Sequence, residues 1–198
     1  MELAYLPFAV AGVAAAVVLA GLAATLASDR VQFWPPGEDD RALRIYDACS
    51  NAFLVGVVAT GVLDYGSGPF PHPETTVLGV ALLAAAVGLS IRAVSNLGTE
   101  QTRRGTAGDL QSDGLYALSR NPQNVGYFVG YGSLVLVFDT LLLAPLAVGA
   151  VGLWVYLQAL IEEPWLSRRY GEQYDRYRER VPRFLGVRTI RRLRRRNR

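Results

Sequence analysis

The stretch LAYLPFAVAGVAAAVVLAGLAATLA, Leu3 to Ala27, runs 25 residues without a charge. At about 1.5 Å per residue it is long enough to cross a hydrocarbon core about 30 Å thick. It reads as a membrane span and not as a cleaved signal peptide. Only Glu2 and no basic residue precedes it, and its apolar run exceeds the roughly 7 to 15 residues of a signal core. Outward along the chain, Ala48 to Leu63, Val77 to Leu97, Pro122 to Phe138 and Thr140 to Ile161 are further apolar runs. The second and fourth spans are short enough to stand nearly upright or to lie partly within protein. The expectation is an all-α fold: a polytopic membrane helical bundle of about five transmembrane helices plus a C-terminal amphipathic interfacial helix. The 51% hydrophobic composition and mean hydropathy of +0.21 agree with it.

All 20 basic residues are arginine, and they sort by side of the membrane. With five spans and the N-terminus outside, Ser28 to Asp47, Gly98 to Asn121 and the tail fall on the cytoplasmic side of the inner membrane. Those segments carry every arginine except Arg92, which sits close enough to the same interface for its guanidinium to snorkel there. The outer segments, Asp64 to Thr76 and Asp139, carry none. The whole chain, 1–198, reads as one integral membrane domain, with the first three spans in 1–97, a functional core in 98–185 and a basic cytoplasmic tail in 186–198. That tail, with Arg188, Arg191, Arg192, Arg194, Arg195, Arg196 and Arg198, suits anionic headgroups better than nucleic acid. Lone Cys49 excludes an intramolecular disulfide, and with the lone His72 it leaves no Cys/His metal site. His72, between Pro71 and Pro73, reads as an outer-loop residue. Absence of lysine and abundance of alanine point to a GC-rich prokaryotic source.

Two polar clusters stand beside the apolar helices. GLYALSRNPQNVG, Gly114 to Gly126, leads into the fourth span, and the fifth ends in Glu162 and Glu163. A hairpin of these helices brings Arg120, Asn121 and both glutamates to one membrane face. Asn121 is placed to cap the helix and Pro122 to pre-set its first turn, so the positive end of the helix dipole faces any electron-rich ligand group there. Adjacent glutamates point about 100° apart, so one faces the bundle and needs a cation or hydroxyl donors. Arg120 is the candidate internal partner; an ammonium or ribose diol is the candidate ligand partner. Gly126, Gly130 and Gly132 admit a neighbouring helix or a flat ligand, and helix packing is the simpler reading. The loop VQFWPPGEDD, Val31 to Asp40, reads as a surface connection. Pro164 reads as the first turn of a new amphipathic helix whose Trp165, Leu166, Tyr170, Tyr174, Tyr177 and Val181 lie at headgroup level.

Taken together, Gly114-Leu115-Tyr116, Arg120-Asn121-Pro122, Gly126, Glu162-Glu163 and the closing YxxYxxxVPRF, Tyr174 to Phe184, resemble the membrane methyltransferases typified by isoprenylcysteine carboxyl methyltransferase and the phospholipid N-methyltransferases. The resemblance covers roughly Leu110 to Leu185. It implies methyl transfer from S-adenosyl-L-methionine to a lipophilic small molecule or lipid at the cytoplasmic face. It also implies a cofactor pocket lined by Tyr116, Arg120, Asn121, Pro122, Asn124 and Gly126, with Glu162 and Glu163 opposite. Two positions depart from the family pattern: Asn121 stands for the usual histidine and Asn124 for the usual aromatic residue. No catalytic base is assigned, and the methyl acceptor and oligomeric state stay open.

Two other classes compete. A sterol-reductase-like NADPH enzyme shares an Arg-His/Asn-Pro element, but an acidic residue is expected after its glycine, where this chain has Tyr127. A non-enzymatic membrane scaffold predicts no tight adenosyl ligand. No GxGxxG loop is present, so any nucleotide cofactor is held by the bundle itself.

Overall fold

A computed structural model of the chain describes residues 2–28, 30–70, 73–98, 104, 108–186 and 189. The expectations for His72 and for nearly all of the arginine tail lie outside the described residues. Among those described, every regular element is helical: α1 (Tyr5–Ala27), α2 (Asp40–Leu63), α3 (Glu74–Leu97), α4 (Pro122–Val137), α5 (Val151–Tyr170) and α6 (Glu172–Arg180). A short 3-10 turn, Gly114–Ala117, precedes α4. Between α4 and α5 a 3-10 turn (Leu141–Leu143) and a π-helical stretch (Pro145–Ala150) extend α5 into a rod running from Leu141 to Tyr170.

Four helical segments are long and apolar enough to span a membrane: Glu2–Ala27, Asp40–Leu63, Glu74–Leu97 and Leu141–Tyr170. The expected fourth span, α4, has 16 residues and reaches only about 24 Å. Paired along its length with α3, it still runs from the cavity end of the bundle at Asn121 to the opposite end at Phe138, where Asp139 and Thr140 meet Phe70, Gly68 and Asp64. The second span begins at Asp40 and not at Ala48, because the Asp39 carboxylate caps it, accepting from the N–H of Arg41 at 2.8 Å and of Ala42 at 3.0 Å.

Two antiparallel hairpins, α1–α2 and α3–α4, flank α5, which packs on α1 and α4. Small residues set the spacing. Ala11, Ala14 and Ala15 of α1 are buried, and Gly56 of α2 rests on Pro7 and Ala11. Helices with small contact faces approach closely and gain van der Waals contact where lipid gives no hydrophobic drive between them. Outward, α3 leaves Val77, Leu78, Val80, Val87 and Ile91 exposed, as a lipid-facing surface requires.

Gly126 shows how tight the α3–α4 contact is. A methyl group there would overlap the Ser90 hydroxyl and stand 3.0 Å from the Ala86 carbonyl, whereas at Gly130 it would meet Ala86 Cβ at 3.5 Å. Helix packing, the simpler of the two readings of these glycines, accounts for both contacts. At the end of the bundle remote from Trp34 and Glu162, Asp64 accepts from the hydroxyls of Thr140 (2.5 Å) and Ser67 (2.7 Å), and Asp139 accepts from the Phe70 N–H at 3.0 Å. The Thr140 and Ser67 hydroxyls hold the Asp64 carboxyl below its ordinary range.

Two outcomes follow for stability in detergent. Gly126→Ala is expected to destabilise by about 1–3 kcal/mol through overpacking, while Gly130→Ala is neutral or stabilising; thermal unfolding midpoints measured side by side check the contrast. A depressed Asp64 pKa stabilises the fold above the unfolded value of about 3.9, and this stabilisation is lost as the pH falls through the folded value. Asp64→Asn should therefore unfold at a lower temperature than the unsubstituted chain at pH 7, with the gap closing as the pH drops below about 4.

Candidate active site

The site forms where α4 begins, α5 ends and the segment after α6 folds back. Gly171, with φ +54°, breaks the chain between α5 and α6, in a region that favours glycine. This reversal returns residues 181–186 to the Gly114–Asn121 segment. Arg120 donates its N–H to the Pro182 carbonyl at 2.9 Å, and Asn121 donates to that of Arg183 at 3.2 Å. The Ser119 hydroxyl and the Asn121 side-chain amide both donate to the same Arg183 carbonyl at 3.1 Å, and the Thr189 hydroxyl donates to that of Leu118 at 2.8 Å. The Tyr177 hydroxyl fixes the 3-10 turn by donating to the Tyr116 carbonyl at 2.7 Å.

Glu163 stands at the centre, 6% exposed. Its Oε1 accepts from Arg183 Nε at 2.7 Å and from Arg120 Nη2 at 2.8 Å, and its Oε2 accepts from Arg183 Nη2 at 2.6 Å. Glu162, one residue earlier, accepts instead from the Trp34 indole N–H at 2.7 Å. The two carboxylates thus diverge as helical geometry dictates: one is spent on arginines, and the other faces the Val31 to Asp40 loop.

Between these groups lies an open cavity of about 840 Å³, a figure that includes the open space at its mouth. Its polar wall carries Tyr116, Arg120, Asn121, Gln123, Glu162 and Glu163. Its apolar wall is made by Trp34, Leu97, Leu110, Trp165 and Leu166, together with the rings of Tyr170, Tyr174 and Tyr177. Arg120 Nε and Nη1, Gln123 Oε1 and the Tyr174 hydroxyl are buried there without a hydrogen-bond partner. Buried polar atoms ordinarily have partners, so these four are the groups a ligand would satisfy. Among the described residues no cluster of His, Cys, Asp and Glu forms a metal site.

Of the residues the sequence singled out, Tyr116, Arg120, Asn121, Glu162 and Glu163 meet at the cavity. Pro122, Asn124 and Gly126 are buried beside it in α4 and do not line it, Gly126 facing α3. Four expectations are corrected. Asn121 occupies the capping position but makes no cap bond, its amide being drawn to the Arg183 carbonyl. Pro164 starts no helix; it lies exposed inside α5, which continues across it because Glu163, Trp165 and Leu166 are held on the inward face. Tyr174, Tyr177 and Val181 are buried, so they turn toward protein and not toward headgroups. The Val31 to Asp40 loop is not merely a surface connection, because Trp34 is 5% exposed, lies 4.5 Å from the Tyr46 ring between centroids and reaches Glu162.

Trp34, Gln123 and Arg183 are the contributors that sequence reasoning missed. Arg183 stood in the quoted VPRF run, and Trp34 was visible as a large aromatic in an otherwise polar loop. Gln123 carried no signal.

The sequence model of the phospholipid methyltransferase family matches residues 75–173, half of the chain. The chain belongs to that family. No curated protein and no solved structure matches it. The match runs from α3 to the start of α6, so it contains Arg120 and both glutamates. Trp34 lies before it, and Tyr174 and Arg183 lie after it. Membership indicates a membrane methyltransferase, and methyltransferases of this family generally use S-adenosylmethionine.

Removing one member of a buried ion cluster leaves the others uncompensated. Glu163→Ala strands two arginines and is expected to destabilise by about 3–5 kcal/mol. Glu162→Gln, which retains an acceptor for the Trp34 indole, should unfold within about 1 kcal/mol of the unsubstituted chain. Urea or thermal unfolding of the two variants in the same detergent checks the order.

Proposed function

We propose that this protein is an integral membrane enzyme that transfers a methyl group from S-adenosylmethionine to a lipophilic acceptor, with the cavity as the shared site. The observation that carries this reading is the set of buried, unpartnered polar atoms of Arg120, Gln123 and Tyr174, three residues that line one cavity, within the chain of a methyltransferase family. Donors and acceptors of both kinds are present, as a ligand bearing a carboxylate, an ammonium, ribose hydroxyls and an adenine requires. Arg120 and Tyr174 offer donors; Glu162 and Gln123 offer acceptors. The indole and phenol faces of Trp34, Trp165 and Tyr170 suit a flat base and a cationic sulfur.

When bound, S-adenosylmethionine supplies an electrophilic methyl group whose leaving thioether needs no protonation. What remains for the protein is alignment and the exclusion of water. Trp34, Leu97, Trp165 and Leu166 form the apolar wall that excludes it. Among the described residues, Glu162 is the carboxylate lining the cavity that has no arginine partner. A carboxylate acceptor needs no base, and for an amine acceptor Glu162 is the group placed to take the proton. The arginine-rich pocket end of the bundle faces the cytoplasm in this reading, with the N-terminus outside. Phospholipids and isoprenylated cysteine are both acceptors of the right character, since each presents its nucleophile at the membrane surface.

Calorimetric titration of the detergent-purified chain with S-adenosylhomocysteine is expected to show micromolar binding. Arg120→Ala and Glu162→Gln should each weaken it about tenfold or more, with folding checked by thermal unfolding. NADPH run in parallel should not bind; NADPH binding without adenosylhomocysteine binding would overturn the methyltransferase reading in favour of a reductase.

A further inference from the structure

Three tyrosines on the last turn of α5 and on α6 point toward the cavity, and they are not equivalent. The Tyr170 hydroxyl donates to the Gly108 carbonyl at 2.7 Å, and that of Tyr177 donates to the Tyr116 carbonyl at 2.7 Å. Tyr174, between them, is 1% exposed and packs its ring 6.0 Å from that of Tyr177, yet its hydroxyl has no partner. Phenylalanine would fill the same space without burying an unmatched O–H. Burial, foremost, keeps the phenol protonated at neutral pH, so the group is a donor.

Arg120 lines the same cavity, and its charge acts on the Tyr174 phenol. Its side chain is 10% exposed and uses only Nη2, on Glu163 Oε1. Glu163 has little more to give, because Arg183 occupies both of its oxygens. Arg183 therefore acts as a spacer charge: it satisfies Glu163 and leaves Nε and Nη1 of Arg120 unspent. Glu162, on the wall of the same cavity and bonded through Oε1 to Trp34, is the matching site for a cation.

We propose that Arg120 Nε and Nη1 and the Tyr174 hydroxyl form one oxyanion subsite in the cavity, which takes the negative end of a zwitterionic ligand whose cation faces Glu162. This rests on the reading of the cavity as a methyl-transfer site and names the part of the ligand that these residues hold. Two ligands of such a site share this chemistry. One is the amino-acid end of the methyl donor, with its carboxylate and ammonium; the other is a phosphoethanolamine headgroup, with its phosphate and ammonium.

The test compares the full chain with Tyr174→Phe, both purified in detergent and matched for thermal unfolding. Three ligands are titrated calorimetrically: S-adenosylhomocysteine, its decarboxylated analogue, and dihexanoyl phosphatidylethanolamine. If the carboxylate occupies the subsite, the unsubstituted chain binds S-adenosylhomocysteine about tenfold tighter than the decarboxylated analogue, and Tyr174→Phe removes most of that preference while leaving the analogue unchanged. If the phosphate occupies it, Tyr174→Phe leaves both adenosyl ligands unchanged and weakens the phospholipid by a similar factor. Tyr174→Phe that alters none of the three, or that weakens the decarboxylated analogue as much as its parent, overturns the subsite. Adenosylhomocysteine binding that persists in that case leaves the methyltransferase reading standing. Loss of all adenosyl binding from the unsubstituted chain sinks that reading, and the subsite then stands or falls on the phospholipid titration alone.

Discussion

Glu163 is the residue on which the functional end of this protein depends. A carboxylate buried near the end of an apolar helix is tolerated only when its charge is matched and its lone pairs are filled. Here the match comes from two directions in the chain. Arg120 arrives from the segment before α4, and Arg183 arrives from the segment after α6. One acid thus pins three parts of the sequence together, and the backbone bonds from Arg120 and Asn121 to Pro182 and Arg183 add to that joint. A buried ion cluster of this kind contributes modestly to net stability, since desolvation offsets much of its attraction. Its larger effect is on geometry, because drawing any one of the three segments away leaves a buried charge unmatched.

The helical core supplies the frame that makes such a joint possible. Close contacts at Gly56, Gly79 and Gly126 bring the helices of each hairpin near enough to act as stiff units. The aromatic set of Phe53, Tyr131 and Trp154 fills the wider space between them, with ring centroids 5.2 to 5.8 Å apart. Tyr46 extends this set toward the cavity, its hydroxyl accepting from Gln158 at 2.8 Å while its ring supports Trp34. Packing in the core is thereby carried to the wall of the site through three aromatic side chains.

Much of this architecture was legible in the amino-acid order, and the reasons are physical. Apolar run length reports directly on membrane spans, so Leu3 to Ala27 and Val77 to Leu97 correspond closely to α1 and α3. The meeting of Arg120 with the paired glutamates was legible too, because a buried acid demands a cation and few were available. What stayed hidden depended on tertiary placement. Charged Asp40, Arg41, Arg44 and Asp47 masked the first turns of α2, which the Asp39 cap nonetheless starts. Pro164 signals a helix start by local rules, but side chains fixed on either side of it override them. Trp34 and Arg183 lie on segments with no periodic pattern, and only the return of the chain to α5 makes them neighbours of Glu162 and Glu163.

The hydrogen bond between Trp34 and Glu162 joins residues 128 positions apart, while Arg183 closes on Ser119 and Asn121 across 64 and 62 positions. Contacts so distant in sequence form only after nearly all the intervening chain exists. Glu163 on α5 has its two arginines on opposite sides of it in the sequence, Arg120 before it and Arg183 after it. Without the segment after α5, Arg120 alone would neutralise that acid and the wall contributed by α6 would be missing. The wall of the cavity accordingly draws on residues from Trp34 to Tyr177, so a break in the chain between α5 and α6 would open one side of it.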